Sequence, residues 1–302
     1  MPEQRFKVTV GMPVYNSEKW IRSSLESWLN QTMADFRIVI SDNGSTDESV
    51  KICSSIAAKD SRIEIYKNKQ NIGISKNFRR AFEVGSGAEY FMWASSHDYF
   101  APTMLQRCVS TLDKHPDAVA CCGQTALFES DPTNAKPYIE TIRTESHSPV
   151  ERYLSIVSGL RVNNLVHGVF RTNALRDTRL MGDYFSSDNV LVAQLALAGR
   201  IIQLPETLFY RRWEASASTS KMSEDERRKH WDPDNLGLCR NTYFKINLGY
   251  LRAVLGAKVS LHDKSRLLAL TAKQIYWDRH GLLADVLDLF HARTYRKSAP
   301  LP

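Results

Sequence analysis

Residues 36–49 read FRIVISDNGSTDES, and this stretch decides the fold. Phe36–Ser41 is a run of apolar and β-branched residues of the length of one buried strand. Asp42-Asn43-Gly44 follows it with turn residues. Ser45-Thr46-Asp47-Glu48 then has the spacing of a capping box, with Val50, Ile52 and Ile56 behind it as helix. A buried strand that passes through a polar turn straight into a helix is one β-α unit.

The same pattern recurs on both sides. Phe6–Met12 (FKVTVGM) reads as a strand, and Ser17 can cap a helix that places Ile21, Leu25, Trp28 and Leu29 on one face. Arg62–Tyr66 is a third strand, followed by a helix over Ser75–Val84. Glu89–Ala94 (EYFMWA) is a fourth, and Pro102 fits the first turn of a helix that runs to His115. Ala118–Gly123 is a fifth. Strands separated by helices of about ten residues predict right-handed crossovers and an α/β fold with a mostly parallel sheet and helices on both faces. Ligands of such sheets bind beyond the carboxyl ends of the strands, so function is to be sought there.

Further along, the polar Ser130–Pro149 reads as loop, Pro149–Ser158 as helix and Leu165–Phe170 as strand. Asp188–Leu197 reads as a helix closed by Gly199 at its C′ position. Ile201–Leu204 and Thr207–Arg212 read as two short strands around Pro205, Ser216–Asp234 as a mobile polar loop, and Asn241 onward as two or three amphipathic helices. The expected division is an α/β domain over 1–235 and a basic helical appendage over 236–302.

Composition bounds the class. The 302 residues are 43% hydrophobic and 24% charged, an ordinary globular mixture. No apolar run reaches the roughly 18 residues of a spanning helix. The N-terminus carries no apolar leader core, so export by a signal peptide is not expected. Five cysteines without C-x-x-C spacing read as buried thiols in a reducing compartment. Residues 236–302 hold eleven Lys and Arg against four Asp, which accounts for the whole net charge of +7. Such a segment can hold an anionic membrane surface, can serve as an oligomer interface, or can be a solvated helical face. Nucleic acid is not expected, because no aromatic-basic recognition motif accompanies the charge.

Four places after strands could carry chemistry. Asp42 can accept bonds from a ribose hydroxyl or a base N–H, or can simply build a turn. His97-Asp98, in Ser95-Ser96-His97-Asp98, can share a metal, or Asp98 can cap the following helix. Asp183 and Asp188 flank Tyr184–Ser187; a carboxylate here can be a general base, while Asp188 can equally cap its helix. Arg211-Arg212 suits phosphate, or lies on a surface strand. No G-x-G-x-x-G, P-loop or G-x-S-x-G is present, which argues against dinucleotide enzymes, ATPases and serine hydrolases.

In order, VTVGMPVYNSEKWIRSSLESWLNQT (8–32), FRIVISDNGSTDES (36–49), NIGISKN (71–77) and YFMWASSHDYFAP (90–102) resemble the family-2 glycosyltransferases of the GT-A fold. The resemblance covers about residues 6–215. It implies transfer of a sugar from a nucleotide-diphosphate donor, a UDP-sugar foremost, with inversion at the anomeric carbon. The acceptor would be a hydroxyl of a glycan, a glycolipid or a surface polysaccharide. It implies that Pro13, Tyr15 and Asn16 pack on the nucleoside and that Asp42 and Asn43 read base and ribose. Asn71, Lys76 and Ser96 then lie near the nucleotide. Where many relatives carry an Arg-x-His or similar, this chain departs with Arg211-Arg212-Trp213-Glu214, and a cationic Arg211 or Arg212 could touch the diphosphate instead. Asp188 is the catalytic base. A divalent metal, Mn2+ or Mg2+, would sit on His97 and Asp98, where the usual D-x-D has been replaced except at Asp98. The implied location is cytoplasmic, with peripheral attachment at the inner face of a membrane, and a homo-oligomer is compatible. The alternatives are a nucleotide-binding protein of this fold without transferase activity and a nucleotidyltransferase on a related sheet, which should carry a glycine- and arginine-rich loop that is missing here.

Overall fold

A computed structural model describes residues 6–140, 142–213 and 242–287. Nine strands form one sheet: β1 (Val8–Val14), β2 (Phe36–Asp42), β3 (Ile63–Lys67), β4 (Tyr90–Trp93), β5 (Tyr99–Phe100), β6 (Ala118–Phe128), β7 (Lys136–Tyr138), β8 (Val169–Arg171) and β9 (Arg200–Arg212). The helices are α1 (Ile21–Leu29), α2 (Ser49–Ala57), α3 (Ile74–Gly85), α4 (Met104–Lys114), α5 (Pro149–Gly159), α6 (Thr172–Arg176), α7 (Ser187–Ala198), α8 (Thr242–Gly256) and α9 (Leu261–Trp277). Strand order is β3-β2-β1-β4-β8-β6-β9-β5, with β7 beside β6.

The parallel half matches the β-α reading. β1 pairs in parallel with β2 and with β4, and β2 with β3. Alternation along these strands fills a core on each face. Val8, Val10, Met12, Tyr90 and Met92 join α1, α2 and α4 on one side. Phe91 and Trp93 meet Phe82, Phe170 and the apolar faces of α5 and α7 on the other. Burial on both faces is what makes these strands continuous hydrophobic runs.

The second half departs from a simple parallel succession. β6 does not pair with β4: β8 inserts between them, antiparallel to both. Leu165–Phe170, expected as strand, divides into a 3-10 turn over Leu165–His167 and the short β8. The Asn163 side chain draws in the Val166 N–H at 3.3 Å, which bends this run before β8 can begin. The two short strands expected around Pro205 are one long β9, and the register against β6 shifts between Cys122 and Gln124. That irregularity absorbs a residue without an N–H. β7 emerges inside the segment read as loop.

The end signals also differ in detail. Ser17 begins α1 with its carbonyl, which accepts from Trp20 and Ile21, and not with its hydroxyl. The cap position of α2 is Glu48, not Ser45, and the Ser49 N–H is satisfied by Asp47 Oδ1 at 3.0 Å. Gly199 is extended (φ −172°), not left-handed. It is small because a Cβ there would lie 2.5 Å from Val119 Cγ1. Pro102 precedes α4 rather than opening it, and Asp98 does not cap that helix.

Tyr250 and Val254 of α8 and Leu267 of α9 belong to the second core, and Tyr153 of α5 meets Thr271 of α9 at 3.0 Å. The expected boundary at 235/236, the loop Ser216–Asp234, Cys239 and residues 288–302 lie outside the described residues. Cys53, Cys108, Cys121 and Cys122 are buried free thiols, and burial raises Cys53 to about 12.

Candidate active site

The turns after β1 and β2 are tied to each other side by side. Asn16, left-handed at φ 45°, donates its N–H to Ser45 Oγ and accepts the Thr46 N–H on Oδ1 at 2.9 Å. The Ser17 N–H donates to Ser49 Oγ at 2.7 Å. The Glu18 N–H donates to Asp47 Oδ2, and Glu18 Oε2 accepts the Glu48 N–H. Burial would raise the Asp47 carboxyl, but the bonds from Ser49 and Glu18 bring it below the usual carboxylate range. Two turns with this many reciprocal bonds form a rigid floor.

A second set of ties fixes the 68–73 loop. Asn43 Oδ1 accepts the Ile72 N–H at 3.0 Å, and Asn43 Nδ2 donates to Asn71 Oδ1 at 2.9 Å. Asn71 Oδ1 also accepts the Gly73 N–H. Gly44 (φ +74°) lets the turn pass over this loop: a Cβ there would stand 2.9 Å from the Gln70 carbonyl carbon. Asn43 and Asn71, expected at the nucleotide, therefore spend their amides on the scaffold. Lys76 is half-buried on α3.

Asp42 differs from its neighbours. It is 3% exposed at the end of β2, yet among the described residues its carboxylate has two long hydrogen bonds, both from the Ser45 N–H, at 3.4 and 3.3 Å. A buried carboxylate normally collects several short donors. Tyr15 is exposed at the end of β1, beside Pro13.

The turn after β4 joins the same rim. Ser96 Oγ lies 2.8 Å from Ser17 Oγ, and Ser24 Oγ donates to the Ser95 carbonyl. Ser95 Oγ is 3.1 Å from His97 Nδ1, and the His97 side chain is about half exposed. Asp98 is buried, with Oδ1 accepting the Arg212 N–H at 2.7 Å and lying 4.0 Å from His97 Nε2. Among the described residues no group of three His, Cys, Asp or Glu side chains could hold a metal. One imidazole and one carboxylate suit a divalent ion only where a diphosphate supplies most of its ligands.

β9 ends between the two candidate carboxylates. Arg212 donates from Nε to the His97 carbonyl at 3.0 Å and from Nη1 to the Glu129 carbonyl at 2.7 Å. Its guanidinium carbon stacks 3.8 Å from the Trp20 ring centroid and 4.5 Å from that of Phe128. It clamps the 97–98 turn, where a role at the diphosphate was expected. Arg211 turns the other way and donates to Asn164 Oδ1 at 2.8 Å.

Asp188 lies in the first turn of α7, after Ser186 at φ 62°. Burial raises its carboxyl above the usual range, against the opposing pull of Asn163, the Asp188 and Asn189 N–H groups and the positive Arg211. Ser186, not Asp188, occupies the cap position of α7, so Asp188 sits inside the first turn rather than capping it. Asn163 Nδ2 is buried without a hydrogen bond of normal geometry. Asp183 instead pairs with Arg79 of α3 at 2.8 Å.

His167 and the Asn163-Asn164 pair were not singled out from the sequence. His167 Nδ1 lies 3.0 Å from the Trp93 carbonyl and its ring 4.9 Å from Phe209. Burial drives its pKa down to about 4, although Asp98 pulls the other way. Their only sequence signal is a polar pair and a histidine inside an apolar run.

Comparison with known proteins identifies the fold and the family. S. aureus TarS, solved with UDP-GlcNAc, superposes with a TM-score of 0.71 at 17% identity, covering 95% of this chain and 79% of that one. The mannosyltransferase PcManGT of Pyrobaculum calidifontis, solved with GDP-Man and Mn2+, gives 0.53 at 15% identity, covering 97% and 88%. The shared fold is GT-A. Among curated relatives, putative glycosyltransferase EpsH of Bacillus subtilis is 31% identical over 148 residues, 49% of this chain and 41% of its own. Uncharacterized protein Mb1547 of Mycobacterium bovis is 27% identical over 242 residues, 78% of this chain and 66% of its own. The chain thus spans less than two thirds of the length of these curated relatives. Residues 9–184 match the family model described as Glycosyl transferase family 2, which is more than half of the sequence, and the chain belongs to that family.

Proposed function

We propose that the protein is an inverting glycosyltransferase that moves a sugar from a nucleotide-diphosphate donor, a UDP-sugar foremost, to a hydroxyl of a glycan, glycolipid or surface-polysaccharide acceptor. The observation that carries this reading is the end of β9. Arg212 holds Asp98 through its backbone N–H, while Arg211 donates to Asn164 and its positive charge acts on Asp188. One strand end thus links the diphosphate side to a carboxylate whose proton affinity is raised.

Asp42 takes a ribose hydroxyl or base N–H with the lone pairs its long Ser45 contacts leave weakly used. Pro13, Tyr15 and Asn16 flank the nucleoside, and Asn43 and Asn71 act by holding the floor. Ser96 and Lys76 stand near the nucleotide. The ionised Asp188 accepts the acceptor hydroxyl's proton as its oxygen bonds to the anomeric carbon. The carbon–diphosphate oxygen bond breaks in the same displacement, and the nucleoside diphosphate leaves with its electron pair. His97 and Asp98 would hold a divalent ion, Mn2+ or Mg2+, which supplies charge neutralisation at the leaving diphosphate. Work at the inner face of a membrane, through the basic residues 236–302, belongs to the same reading.

A thermal-shift panel of nucleoside diphosphates with and without Mn2+, followed by donor turnover, tests the proposal. A ligand bound only by the folded chain raises stability. The expected result is a shift with UDP, larger with Mn2+, and donor turnover that Asp188→Asn abolishes. A shift without any donor hydrolysis or transfer would leave a binding protein of this fold. No shift with any nucleotide would remove the nucleotide site.

A further inference from the structure

Residues 242–287 contain seven Lys and Arg against three Asp, and the fold sends the two signs to different places. Each acid has an internal partner. Ser260 caps α9 by accepting the Asp263 N–H at 3.0 Å, and Asp263 Oδ2 accepts the Ser260 hydroxyl at 2.8 Å. Asp278 accepts from Asn247 Nδ2 at 2.9 Å and from Gln274 Nε2 at 3.2 Å. Asp285 is buried and accepts the Phe244 N–H at 2.8 Å. Arg252, Lys258, Arg266, Lys273 and Arg279 are all exposed.

Large apolar side chains share that exposed surface. Tyr276 is 63% exposed, Trp277 54% and, in the helical residues 279–287, Leu283 57%. Arg266, Ala269, Lys273 and Tyr276 follow helical spacing along α9, so they lie on one stripe. Lys273 Nζ stands 4.8 Å from the Trp277 ring centroid, and the Arg279 guanidinium carbon 4.5 Å from that of Tyr276. Cations and aromatic rings are thus presented together, with the charged heads over the rings.

We infer that this face of α9 and of residues 279–287 docks in the plane of an anionic lipid bilayer. The inference rests on the membrane-side reading of residues 236–302 and is independent of the sugar chemistry. Trp and Tyr favour the headgroup boundary, and Lys and Arg reach from there to anionic headgroups. Among the described residues no helix is long and apolar enough to cross a membrane, so the attachment made by this face lies along the surface. A second copy fits poorly, because self-pairing would set Arg266, Lys273 and Arg279 near their own like charges, and among the described residues 242–287 no acid is exposed to answer them. An acidic protein would answer the charge but leaves the exposed aromatic and leucine side chains without a reason.

The test uses the full chain and flotation with vesicles of phosphatidylglycerol and phosphatidylcholine against phosphatidylcholine alone. Binding to the anionic vesicles only is expected, weakening at high salt. Arg266→Glu with Lys273→Glu should weaken it by at least roughly fivefold for each cation removed. Tyr276→Ser with Trp277→Ser should weaken it too, while an unchanged melting temperature and unchanged donor turnover show that both variants are folded. Asp188→Asn should float as the parent does, which separates this surface from the active site. No flotation on anionic vesicles at low salt would overturn the inference. So would flotation that the aromatic pair does not affect, the result expected if the face meets an acidic protein.

Discussion

The two sides of the sheet build the site by opposite means. On the β1–β3 side, short-range turns are interlocked: Asn16 with Ser45 and Thr46, Glu18 with Asp47 and Glu48, Asn43 with Asn71 and Ile72. Nearly every polar group there is spent, and Asp42 is left with weak contacts. On the β8–β9 side, Asp188 keeps a raised proton affinity because burial outweighs the help of Asn163 and Arg211. The first side is a preformed cradle suited to binding. The second stores an electrostatic imbalance suited to moving a proton.

The comparison predicts that the two sides fail differently. Asp188→Asn should give the largest effect, a loss of transfer of about a hundred- to ten-thousandfold, as expected for a general base. UDP affinity should change little, which titration calorimetry reads. Loss of affinity with turnover intact would break the assignment. The same variant should be more stable than the parent at neutral pH. The folded pKa of Asp188 is raised, so its stabilising protonation is lost as pH rises through that value. Asparagine removes that dependence, and the melting temperatures should converge at low pH, below the usual carboxylate range.

Asp42→Ala should show the reverse. UDP binding should weaken by about 1.5–3 kcal/mol, the value of a hydrogen bond to a charged group, with little loss of turnover at saturating donor. His167 yields a stability effect of similar size. Its pKa of about 4 lies below the ordinary 6.5, so folding loses stability as pH falls between these values. The expected loss is about 3 kcal/mol at full protonation. His167→Gln should flatten the acid limb of a denaturant titration followed from pH 7 to 4.

Arg211→Ala tests the coupling directly. Removing its positive charge should raise Asp188 further and move the acid limb of the pH–rate profile upward. An unmoved limb would show that another group titrates. The smallest effect is expected at His97→Ala, which should raise the Mn2+ concentration needed for half-maximal turnover about tenfold or less, since a diphosphate supplies the other ligands.

Where the chain could be read in advance, the reason was local. Phe36–Asp42 is buried on both faces, so its composition alone marks a strand, and the turn chemistry that follows depends on neighbours in sequence. β1, β2, β3 and β4 and the Asp42 turn were legible for that reason. β8 was not, because its three residues pair antiparallel between β4 and β6 through contacts far apart in the chain. Nor could composition show that Arg212 stacks on Trp20 and Phe128 instead of facing outward.

The sequence by itself determined the β-α succession, the carboxylates after strands two and four and the basic C-terminal region, because each depends on residue type and near spacing. Tertiary structure alone decided which polar groups are spent on one another and which remain to act. Hydrogen-bond satisfaction and desolvation are properties of groups brought together from distant positions. For that reason only the fold could assign Asn43 and Arg212 to the scaffold and put Asp188 under electrostatic load.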